Sequence, residues 1–357
     1  MGFDFAQIDG ILNARSIAIV GASNSPLKFG GMLTASQLAM GFAGTVFLVN
    51  PNEKEILGHQ AYPDLLSLPE TPDLVYIVIP ANRSLEVLEQ CAQRGVKGVV
   101  MIPAGFREAG EEGKILEKEA LRLAREGGFR IIGPNCFGIY NPRNRLTLLP
   151  GADFSTTPGD VAFLSQSGGF STHVVRLSQS LGLRFSALVS YGNGVDVDAP
   201  DLLRYFADDP QTGVIGAYLE GVRDARAFLD ALKGAASKKP VVLWKVGKAA
   251  TAQQAVMSHT GSLAGSAEIW EAALHQSGAI QVSGIDELCD VLLALRHLGR
   301  KPGRRLLVSG GGGGLGANAA DLAAPAGLEI PPLNGETGRK LTEILSRAGA
   351  VVSNPLD

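Results

Sequence analysis

Apolar residues run without interruption through five short segments in the first third of the chain, and amphipathic helical patterns separate them. The apolar runs occupy residues 16–23, 45–51, 74–80, 97–105 and 129–138, and helical patterns include residues 31–41, 83–94 and 108–126. Strands that are apolar on both faces are typical of a parallel sheet covered by helices. The pattern therefore predicts an α/β fold that begins with a parallel sheet.

Glycine, proline and asparagine follow these strands, at the sheet edge where ligands of such folds bind. The first turn, "GASNSPLKFGG" at 21–31, lacks the GxGxxG spacing of dinucleotide sites, and the second strand ends in Asn50 and Pro51 instead of an acid. Backbone amides at the following helix start, with Ser23 and Lys28 beside them, are able to hold a phosphate group. An NAD-type domain and a tight turn without a ligand stay open as alternatives.

A second series of strand, turn and helix begins near residue 160. The turn "SQSGG" at 165–169 directs several N–H groups at whatever lies above the next helix, which is a suitable anion site or simply a capped helix. The run 214–221 predicts a strand that ends in Glu220, and a further strand is predicted at 240–249. Asp196 and Asp198 lie near another Gly-rich turn, and the stretch "DAPD" at 198–201 is interpreted as the cap of a helix.

His259 lies in "SHTGSLAG" at 258–265, among small residues, and is one of only five histidines. A carboxylate such as Glu220 beside an imidazole orients the ring and raises its basicity. No further ligands have the spacing of a metal site, and no activated Ser or Cys is evident for a histidine base. The residues alone leave two interpretations open, a histidine that carries a phosphoryl group and an ordinary histidine in a turn.

The end of the chain shows a third unit of the same kind. "RRLLVSGGGGGLGANAADL" predicts a buried strand, a glycine loop at 310–314 and a helix, which makes a flexible linker the weaker interpretation. The chain then stops at "SNPLD", directly after a strand-like apolar stretch. We expect from this that the third unit is truncated or belongs to a split subunit.

Composition excludes several classes of protein. The 357 residues carry a formal net charge of −3 with 19% charged residues and no polybasic run, which argues against nucleic acid or an anionic membrane as partner. Neither a signal peptide nor an apolar run long enough for a membrane span is evident. Cys91, Cys136 and Cys289 lie far apart with no CxxC pair, so we expect neither a zinc site nor disulfides, and a cytoplasmic location.

Taken together, the motifs resemble the CoA-binding and ligase segments of nucleoside-diphosphate-forming acyl-CoA synthetases, in the succinyl-CoA synthetase superfamily. The residues that carry the resemblance span most of the chain and lie at 20–31, 50–51, 79–81, 132–138, 165–169, 201–212, 218–221 and 258–265. It implies a Rossmann-like CoA-binding domain at 1–145, a flavodoxin-like ligase domain at 146–300 and the start of a second one at 301–357.

The resemblance also implies roles for individual residues. His259 would be phosphorylated during turnover, and Glu220 would hold its ring. Two helix starts would bind the phosphate, namely Ser165, Gln166, Ser167, Gly168 and Gly169 in the first and Gly312, Gly313 and Gly314 in the second. The coenzyme A contacts implied are Gly21, Ala22, Ser23, Pro26, Lys28, Gly30, Asn50, Pro51, Ile79, Pro80, Ala104, Gly105, Asn135 and Cys136.

Two departures from the family pattern matter. Thr172 stands at about the position where succinate-specific relatives carry a tyrosine, which argues against succinate. The unbroken glycine run at 310–314 replaces the more usual Asn-Ala-Gly-Gly-Pro.

The resemblance finally implies substrates and partners. The reaction interconverts a carboxylic acid, coenzyme A and ATP with acyl-CoA, ADP and phosphate. ATP, ADP and Mg²⁺ would bind an ATP-grasp module that this chain lacks, supplied by a beta-type subunit or a fused C-terminal half, so the chain alone is expected to be inactive. The assembly would be a homo- or hetero-oligomer. The alternative is a CoA-binding regulatory module of the kind fused to protein acetyltransferases, and an NAD(P) oxidoreductase shares only the architecture.

Overall fold

The computed structural model divides the chain into two compact units, residues 1–297 and residues 298–357. It describes residues 2–147, 150–151, 153–247, 266–298, 303–310, 312–345 and 352–356. No helix within these ranges is both long and apolar enough to cross a membrane.

The first unit begins with a seven-stranded sheet of order β3-β4-β2-β1-β5-β6-β7, parallel except for the β3–β4 hairpin. Its strands are β1 Ser16–Val20, β2 Thr45–Val49, β3 Glu55–Ile56, β4 His59–Tyr62, β5 Leu74–Ile77, β6 Gly98–Met101 and β7 Arg130–Ile132. Its helices are α1 Phe5–Leu12, α2 Phe29–Met40, α3 Ala81–Arg94 and α4 Glu111–Gly127. The five apolar runs thus form the predicted parallel sheet, whereas the hairpin is too short to leave a pattern in the sequence.

A second seven-stranded sheet follows, of order β14-β13-β12-β10-β11-β8-β9. Its strands are β8 Gly138–Asn141, β9 Leu146–Thr147, β10 Val161–Ser165, β11 Phe185–Ser190, β12 Val214–Leu219, β13 Val241–Lys245 and β14 Ile280–Val282. Its helices are α5 Gly168–Ser180, α6 Ala199–Asp208, α7 Ala225–Lys238, α8 Ala267–Ser277 and α9 Ile285–Leu298. The predicted α/β architecture with mostly parallel sheets is confirmed.

The apolar run 129–138 is not one strand, as the sequence suggested. Its first part forms β7 in the first sheet, and Gly138 begins β8, which pairs antiparallel with β11 in the second sheet. The chain turns between the two strands, where Gly133 and Asn135 both have positive φ, at 108° and 56°. The backbone at this turn cannot continue an extended strand, so the run is shared between two sheets.

The side chain of Arg130 joins β7 of the first sheet to the loop after β11 and to α6. It is fully buried, and it donates from Nε to Asp196 at 2.7 Å and from Nη2 to Asp201 at 3.0 Å. The Asp196 carboxylate also accepts from the Ile131 amide at 2.9 Å. Asp196 is therefore an ion-pair partner. Asp198 occupies the N-cap position of α6, as predicted, but its side chain makes no cap hydrogen bond. The paired acids neutralise a charge that would otherwise be costly to bury.

The second unit contains α10 Gly313–Ala323 and α11 Gly335–Leu345. The predicted buried strand before the glycine loop is wrong for the described residues. Arg305 and Ser309 form only isolated bridges, to Glu329 and Leu356, and the Leu307 side chain is 56% exposed. Single bridges do not bury both faces of a strand, which explains the exposure.

Candidate functional site

A cavity of about 720 Å³ lies at the carboxyl ends of β1, β2 and β5, and we name it the turn cavity. Eight of the fourteen residues predicted to contact coenzyme A line it, which are Gly21, Ser23, Lys28, Gly30, Asn50, Pro51, Ile79 and Pro80. The strand order explains this, because β1 lies between β2 and β5 and all three strands are parallel. Their carboxyl ends therefore meet at one edge.

Close backbone contacts shape the first turn of this cavity. A Cβ atom on Gly30 would lie 1.9 Å from the Gly21 carbonyl oxygen, and one on Gly31 would lie 1.9 Å from that of Ser25. Gly21 itself has a φ of 95°. The glycines let α2 start directly against the turn, with its first amides at the cavity.

Glu53 holds this turn in place, and the sequence analysis did not identify it. Its carboxylate accepts hydrogen bonds from Ser23 Oγ at 3.4 Å, from Asn50 Nδ2 at 3.4 Å, and from Asn24 Nδ2. Asn50 Nδ2 also donates to the Ala22 carbonyl at 2.8 Å. The sequence offered one signal for Glu53, an acidic residue three positions after Asn50. This residue lies in a short loop, whereas the sequence analysis looked for an acid at the end of the strand.

The turn cavity carries charge of both signs at its rim. Lys28 and Arg83 line it, together with Asp64 and Glu86. Lys28 occupies the N-cap position of α2 and makes no side-chain cap hydrogen bond. Because the helix start and this ammonium group favour anions, the Lys28 side is where a phosphate group fits.

A second cavity of about 540 Å³ adjoins the first, and we name it the aromatic cavity. Both cavities are lined by Phe29, Val78, Ile79 and Pro80. The other residues that line the aromatic cavity are Ile102, Pro103, Ala104, Asn135, Cys136, Phe137, Ser167, Gly168 and Gly169. The structure thus brings residues predicted for coenzyme A and residues predicted for phosphate to one cavity.

Three of the residues predicted for coenzyme A line neither cavity. Ala22 is fully buried, and Pro26 is exposed on the first turn. The Gly105 amide donates to Glu108 Oε1 at 2.7 Å. These three residues therefore form part of the turns but do not contribute to the surface of either cavity.

Cys136 presents a neutral thiol to the aromatic cavity. The side chain is buried and its Sγ donates to the Met101 carbonyl at 3.2 Å. Burial raises the pKa of this thiol to about 12. A thiol that stays protonated at neutral pH is a poor nucleophile, so Cys136 serves as an uncharged wall.

The turn before α5 is fixed by its serines. Ser165 Oγ donates to the Ser167 carbonyl at 2.9 Å, and Ser167 Oγ accepts from the Phe170 amide at 3.3 Å as the cap of the helix. The amides of Gly168 and Gly169 belong to the first turn, which has no intrahelical acceptors. A Cβ atom on Gly169 would meet no other atom within 4 Å. Both glycines also line the aromatic cavity, so the start of α5 is open to a ligand on that side.

Gln166 connects this turn to Glu220. Its Oε1 accepts from the Glu220 amide at 2.5 Å and from the Gly221 amide at 2.9 Å. Gln166 and Glu220 are both buried. The Gln166 side chain therefore holds the end of β12 beside the start of α5, rather than lining a cavity with Ser167.

A small polar void of about 10 Å³ lies next to the hydrogen bonds between Gln166 and Gly221. It is large enough for about one water molecule. Tyr191, Asn193, Asp198 and Arg223 line it, together with Gln166. Within the described residues the Tyr191 hydroxyl and Asn193 Oδ1 have no hydrogen-bond partner. The sequence analysis did not identify this void, although polar residues in the turn "YGNG" at 191–194 were the available signal.

Asp198 is the titratable group of the void. Its carboxyl has a pKa raised to about 7, first by burial and then by the neighbouring Asp201, while Arg223 and Arg204 act in the opposite direction. Burial, with Asp198 and Glu220 nearby, also raises the pKa of Tyr191 well above its usual value. Tyr191 is therefore neutral, whereas Asp198 changes charge near neutral pH.

Ion pairs connect the two halves of the first unit next to this void. Arg223 Nη1 donates to Glu117 Oε1 at 3.1 Å and to the Gly194 carbonyl at 3.0 Å. Asn193 Nδ2 donates to Glu108 Oε2 at 2.6 Å. Because Glu108 also holds the Gly105 amide, the turn after β6 and the turn after β11 are fixed to one another.

His259 lies outside the described residues, as does the whole stretch 248–265. That stretch follows Gly247, directly after β13, and the Val246 amide donates to the Leu219 carbonyl at 3.0 Å. The backbone entering the stretch is thus bonded to the residue that precedes Glu220. In the described ranges, no group of three or more His, Cys, Asp or Glu side chains has the arrangement of a metal site.

The remaining predicted residues lie elsewhere. Gly312, Gly313 and Gly314 form the start of α10 in the second unit, and Gly312 has a φ of 84°. Thr172, at about the position where succinate-specific relatives carry a tyrosine, is buried on the inner face of α5, and its Oγ1 has no partner among the described residues.

Two family models match the chain. One describes a CoA-binding domain and matches residues 15–142, and the other describes a succinyl-CoA ligase-like flavodoxin domain and matches residues 158–295. The first match covers the strands of the first sheet together with β8 of the second, and the second match covers the second sheet from β10 to β14.

Curated relatives extend the likeness over nearly the whole chain. The alpha subunit of acetate–CoA ligase [ADP-forming] II from Pyrococcus furiosus is 40% identical over 353 residues, covering 98% of this chain and 76% of the relative. Acetate–CoA ligase [ADP-forming] I from Archaeoglobus fulgidus is 42% identical over 347 residues, covering 96% of this chain. The chain spans only 49% of that longer relative.

A solved structure agrees with these relatives. The dinucleotide-forming acetyl-coenzyme A synthetase 1 of Candidatus Korarchaeum cryptofilum, in complex with phosphate and ADP, superposes with a TM-score of 0.84 at 36% identity. The match covers 98% of this chain and 75% of that one. The resemblance inferred from the motifs is confirmed, and the chain belongs to the family of ADP-forming acyl-CoA ligases, as a segment of the alpha-subunit type.

Proposed function

We propose that this chain supplies the coenzyme A site and the phosphoryl-carrying histidine of an ADP-forming acyl-CoA synthetase. The observation that carries the proposal is the link made by Gln166, which holds the backbone of Glu220 and Gly221 beside the start of α5. That link combines an anion-binding helix start with a carboxylate suited to orient an imidazole ring. The comparisons support the same activity.

Coenzyme A occupies both cavities in this proposal. Its nucleotide end lies in the turn cavity, near Lys28 and the start of α2, and its thiol arm passes Ile79 and Pro80 into the aromatic cavity. The arm then ends near Gly168 and Gly169, where the α5 amides bind phosphate. The continuity of the two cavities supports this path.

The reaction then proceeds in three transfers. Phosphate attacks the thioester carbonyl of acyl-CoA, so that the C–S bond breaks and acyl phosphate and coenzyme A form. His259 next takes the phosphoryl group and releases the carboxylate of the acid. The α5 amides stabilise the charge on the transferring group, and Glu220 stabilises the ring as it gains positive character. The phosphoryl group passes finally to ADP, held with Mg²⁺ on an ATP-grasp module outside this chain.

Labelling with [γ-³²P]ATP tests the histidine. In the enzyme completed with its ATP-grasp module, the wild-type chain should acquire an acid-labile, base-stable label, and His259→Ala should acquire none because alanine has no nitrogen to phosphorylate. His173→Ala, which removes an exposed histidine of α5, is the matched control and should keep the label. Label that persists in His259→Ala would overturn the proposal.

A milder variant tests Glu220. Glu220→Gln keeps a hydrogen-bonding group but removes the charge, and we expect acyl-CoA synthesis to fall about 10²–10³-fold. Coenzyme A affinity, measured by calorimetry on the same variant, should stay unchanged because Glu220 lines neither cavity. A CoA-binding regulatory module would instead bind coenzyme A and show no labelling and no synthesis.

A further inference from the structure

We propose that the aromatic cavity binds the hydrocarbon tail of the acid, and that the preferred acid is a monocarboxylic acid with an uncharged tail longer than the single methyl of acetate. The inference rests on the proposed function. It concerns the end of the cavity next to α5, where Gly168 and Gly169 meet Cys136 and Phe137. An acyl phosphate bound by the α5 amides has its tail at this end.

The chemistry of the cavity surface decides the class of tail. Every described residue that lines the cavity is uncharged, and the one titratable group, the Cys136 thiol, has a pKa of about 12 and stays neutral. Apolar atoms make up most of the surface, and Ile102, Pro103 and the two phenylalanines are among the residues that contribute them. A second carboxylate would lose its water and find no cation there, which is costly. An apolar tail loses no such interaction and gains burial.

Phe137 forms the wall nearest the reacting group. A Cβ atom on Gly168 would lie 2.8 Å from the Phe137 ring, so the ring lies directly on the helix start. The ring also packs against Phe29, with centroids 5.4 Å apart and planes 42° apart. Phe29 in turn lines both cavities. The pair therefore stands between the path of the thiol arm and the first atoms of the tail.

The size of the cavity favours a tail longer than a methyl group. With about 540 Å³, the cavity accommodates the end of the thiol arm and still leaves apolar surface that acetate does not cover. Each methylene that covers such surface should raise kcat/KM by roughly fourfold, until the cavity is full.

A series of acids tests the class directly. The completed enzyme is assayed for thioester formation with acetate, propionate, butyrate and phenylacetate, and with succinate, which is butyrate with its methyl replaced by a carboxylate. We expect kcat/KM to rise from acetate to butyrate, and succinate to be at least about 10²-fold poorer than butyrate. Acetate as the best acid, or succinate equal to butyrate, would overturn the inference and leave the proposed function intact. Thioester formation from none of these acids would instead count against the proposed function.

A variant of Phe137 tests the wall. Phe137→Ala widens the cavity at the helix start, and we expect the ratio of kcat/KM for phenylacetate over butyrate to rise at least about tenfold, since the smaller tail loses its contact. Phe137→Leu keeps most of the cavity filled, and its ratio of kcat/KM should lie between those of wild type and Phe137→Ala. Phe154→Ala removes a buried ring that packs on Tyr140 away from the cavity, and it should leave the ratio unchanged. An unchanged ratio in both Phe137 variants would contradict the assignment.

Discussion

The starts of α2 and α5 follow the same local plan, yet the glycines in them meet different surroundings. Each helix follows a buried parallel strand and a turn of small residues. At α2, a Cβ atom on Gly30 would lie 1.9 Å from a backbone oxygen, so the fold itself needs the glycine. At α5, a Cβ atom on Gly169 would meet nothing within 4 Å. Packing does not require Gly169, although glycine in a helix costs up to about 1 kcal/mol. Gly169 also lines the aromatic cavity, which distinguishes it from an open glycine on a plain helix surface.

The two starts also differ in their caps. Lys28 precedes α2 without any side-chain hydrogen bond to the helix, whereas Ser167 caps α5 through the Phe170 amide. The first start therefore offers a cation and free amides to a ligand that arrives from the turn cavity. The second is stabilised by its own serine and leaves the glycine amides for the ligand.

The largest expected effect is on folding at α2. Gly30→Ala should lower the free energy of unfolding by about 3 kcal/mol, because the new methyl group collides with backbone that cannot move aside as a side chain could. Urea unfolding followed by circular dichroism measures it. Gly234→Ala, at an open position of α7, is the control and should be neutral or stabilising by up to about 1 kcal/mol. Equal urea midpoints of unfolding for Gly30→Ala and wild type would show that the fold does not need a glycine at the start of α2.

At α5 we expect a substitution of glycine to reduce activity and to leave stability unchanged. Gly169→Ala should unfold at the same urea concentration as wild type or slightly above it, since the methyl group meets no atom. Acyl-CoA synthesis by the completed enzyme should nevertheless fall about 10²-fold, because the methyl group displaces the phosphate from the α5 amides. Gly10→Ala, an equally open glycine of α1, should leave synthesis unchanged. Full activity in Gly169→Ala would show that no ligand approaches that amide.

A third helix start, that of α6, differs from the other two because a titratable residue, Asp198, precedes it and makes stability depend on pH. The Asp198 carboxyl has a pKa raised to about 7, chiefly by burial, while Asp201 and Asp196 raise it and Arg223 and Arg204 lower it. The folded protein therefore binds a proton that the unfolded chain has released above about pH 4, and its stability falls as the pH rises from there to about 7.

Asp198→Asn removes that titration. The variant should be more stable than wild type by about 2 kcal/mol at pH 8, and the difference should shrink towards pH 4. Urea unfolding at pH 4.5, 6 and 8 measures it. Asp224→Asn alters the carboxylate that caps α7 through the Arg226 and Ala227 amides, and it should change stability by less than about 0.5 kcal/mol. A difference between Asp198→Asn and wild type that does not vary with pH would exclude Asp198 as the titrating group.

The smallest effect concerns the cap of α5. Ser167→Ala removes the acceptor for the Phe170 amide and should lower the free energy of unfolding by about 1 kcal/mol. Ser167→Asp restores a cap, and with it the stability, but places a negative charge beside the amides that bind phosphate. Stability that recovers while synthesis stays low would separate the cap from the anion site. Wild-type synthesis in Ser167→Asp would refute an anion site at this turn.

The sequence predicted the parallel sheet well, because strands buried on both faces leave continuous apolar runs. The sequence analysis did not divide the run 129–138 between two sheets, although Gly133-Pro134-Asn135 inside it is a local turn signal. Which sheet each part joins depends on strand pairing, which the local pattern does not show. The sequence analysis also placed a buried strand before the glycine loop of the second unit, where only single bridges occur among the described residues. An apolar strand-like pattern indicates that a segment is able to be buried. Whether it is buried depends on the strands and helices that pack against it.

For the candidate site, the motifs identified the cavity residues but not the residues that support them. Glu53 and Asn193 act through hydrogen bonds to other groups, and their only sequence signals were weak, an acid shortly after Asn50 and a polar residue in the turn at 191–194. Gln166 was grouped with the phosphate-binding turn, and its direction towards Glu220 depends on which strand lies next to β10. Partners brought together by strand order are not visible in local sequence.

The hairpin of β8 and β9 has a consequence for anyone who divides this protein into separately produced halves. The matched family segments end at residue 142 and resume at residue 158, which invites a cut between them. Such a cut would leave β8 on the first half and expose the edge of β11, whose backbone groups would then be free to recruit strands from other molecules. A cut between β7 and β8 keeps the hairpin with its own sheet. The place where the two halves can be separated in the test tube thus differs, by one hairpin, from the place where the family segments meet.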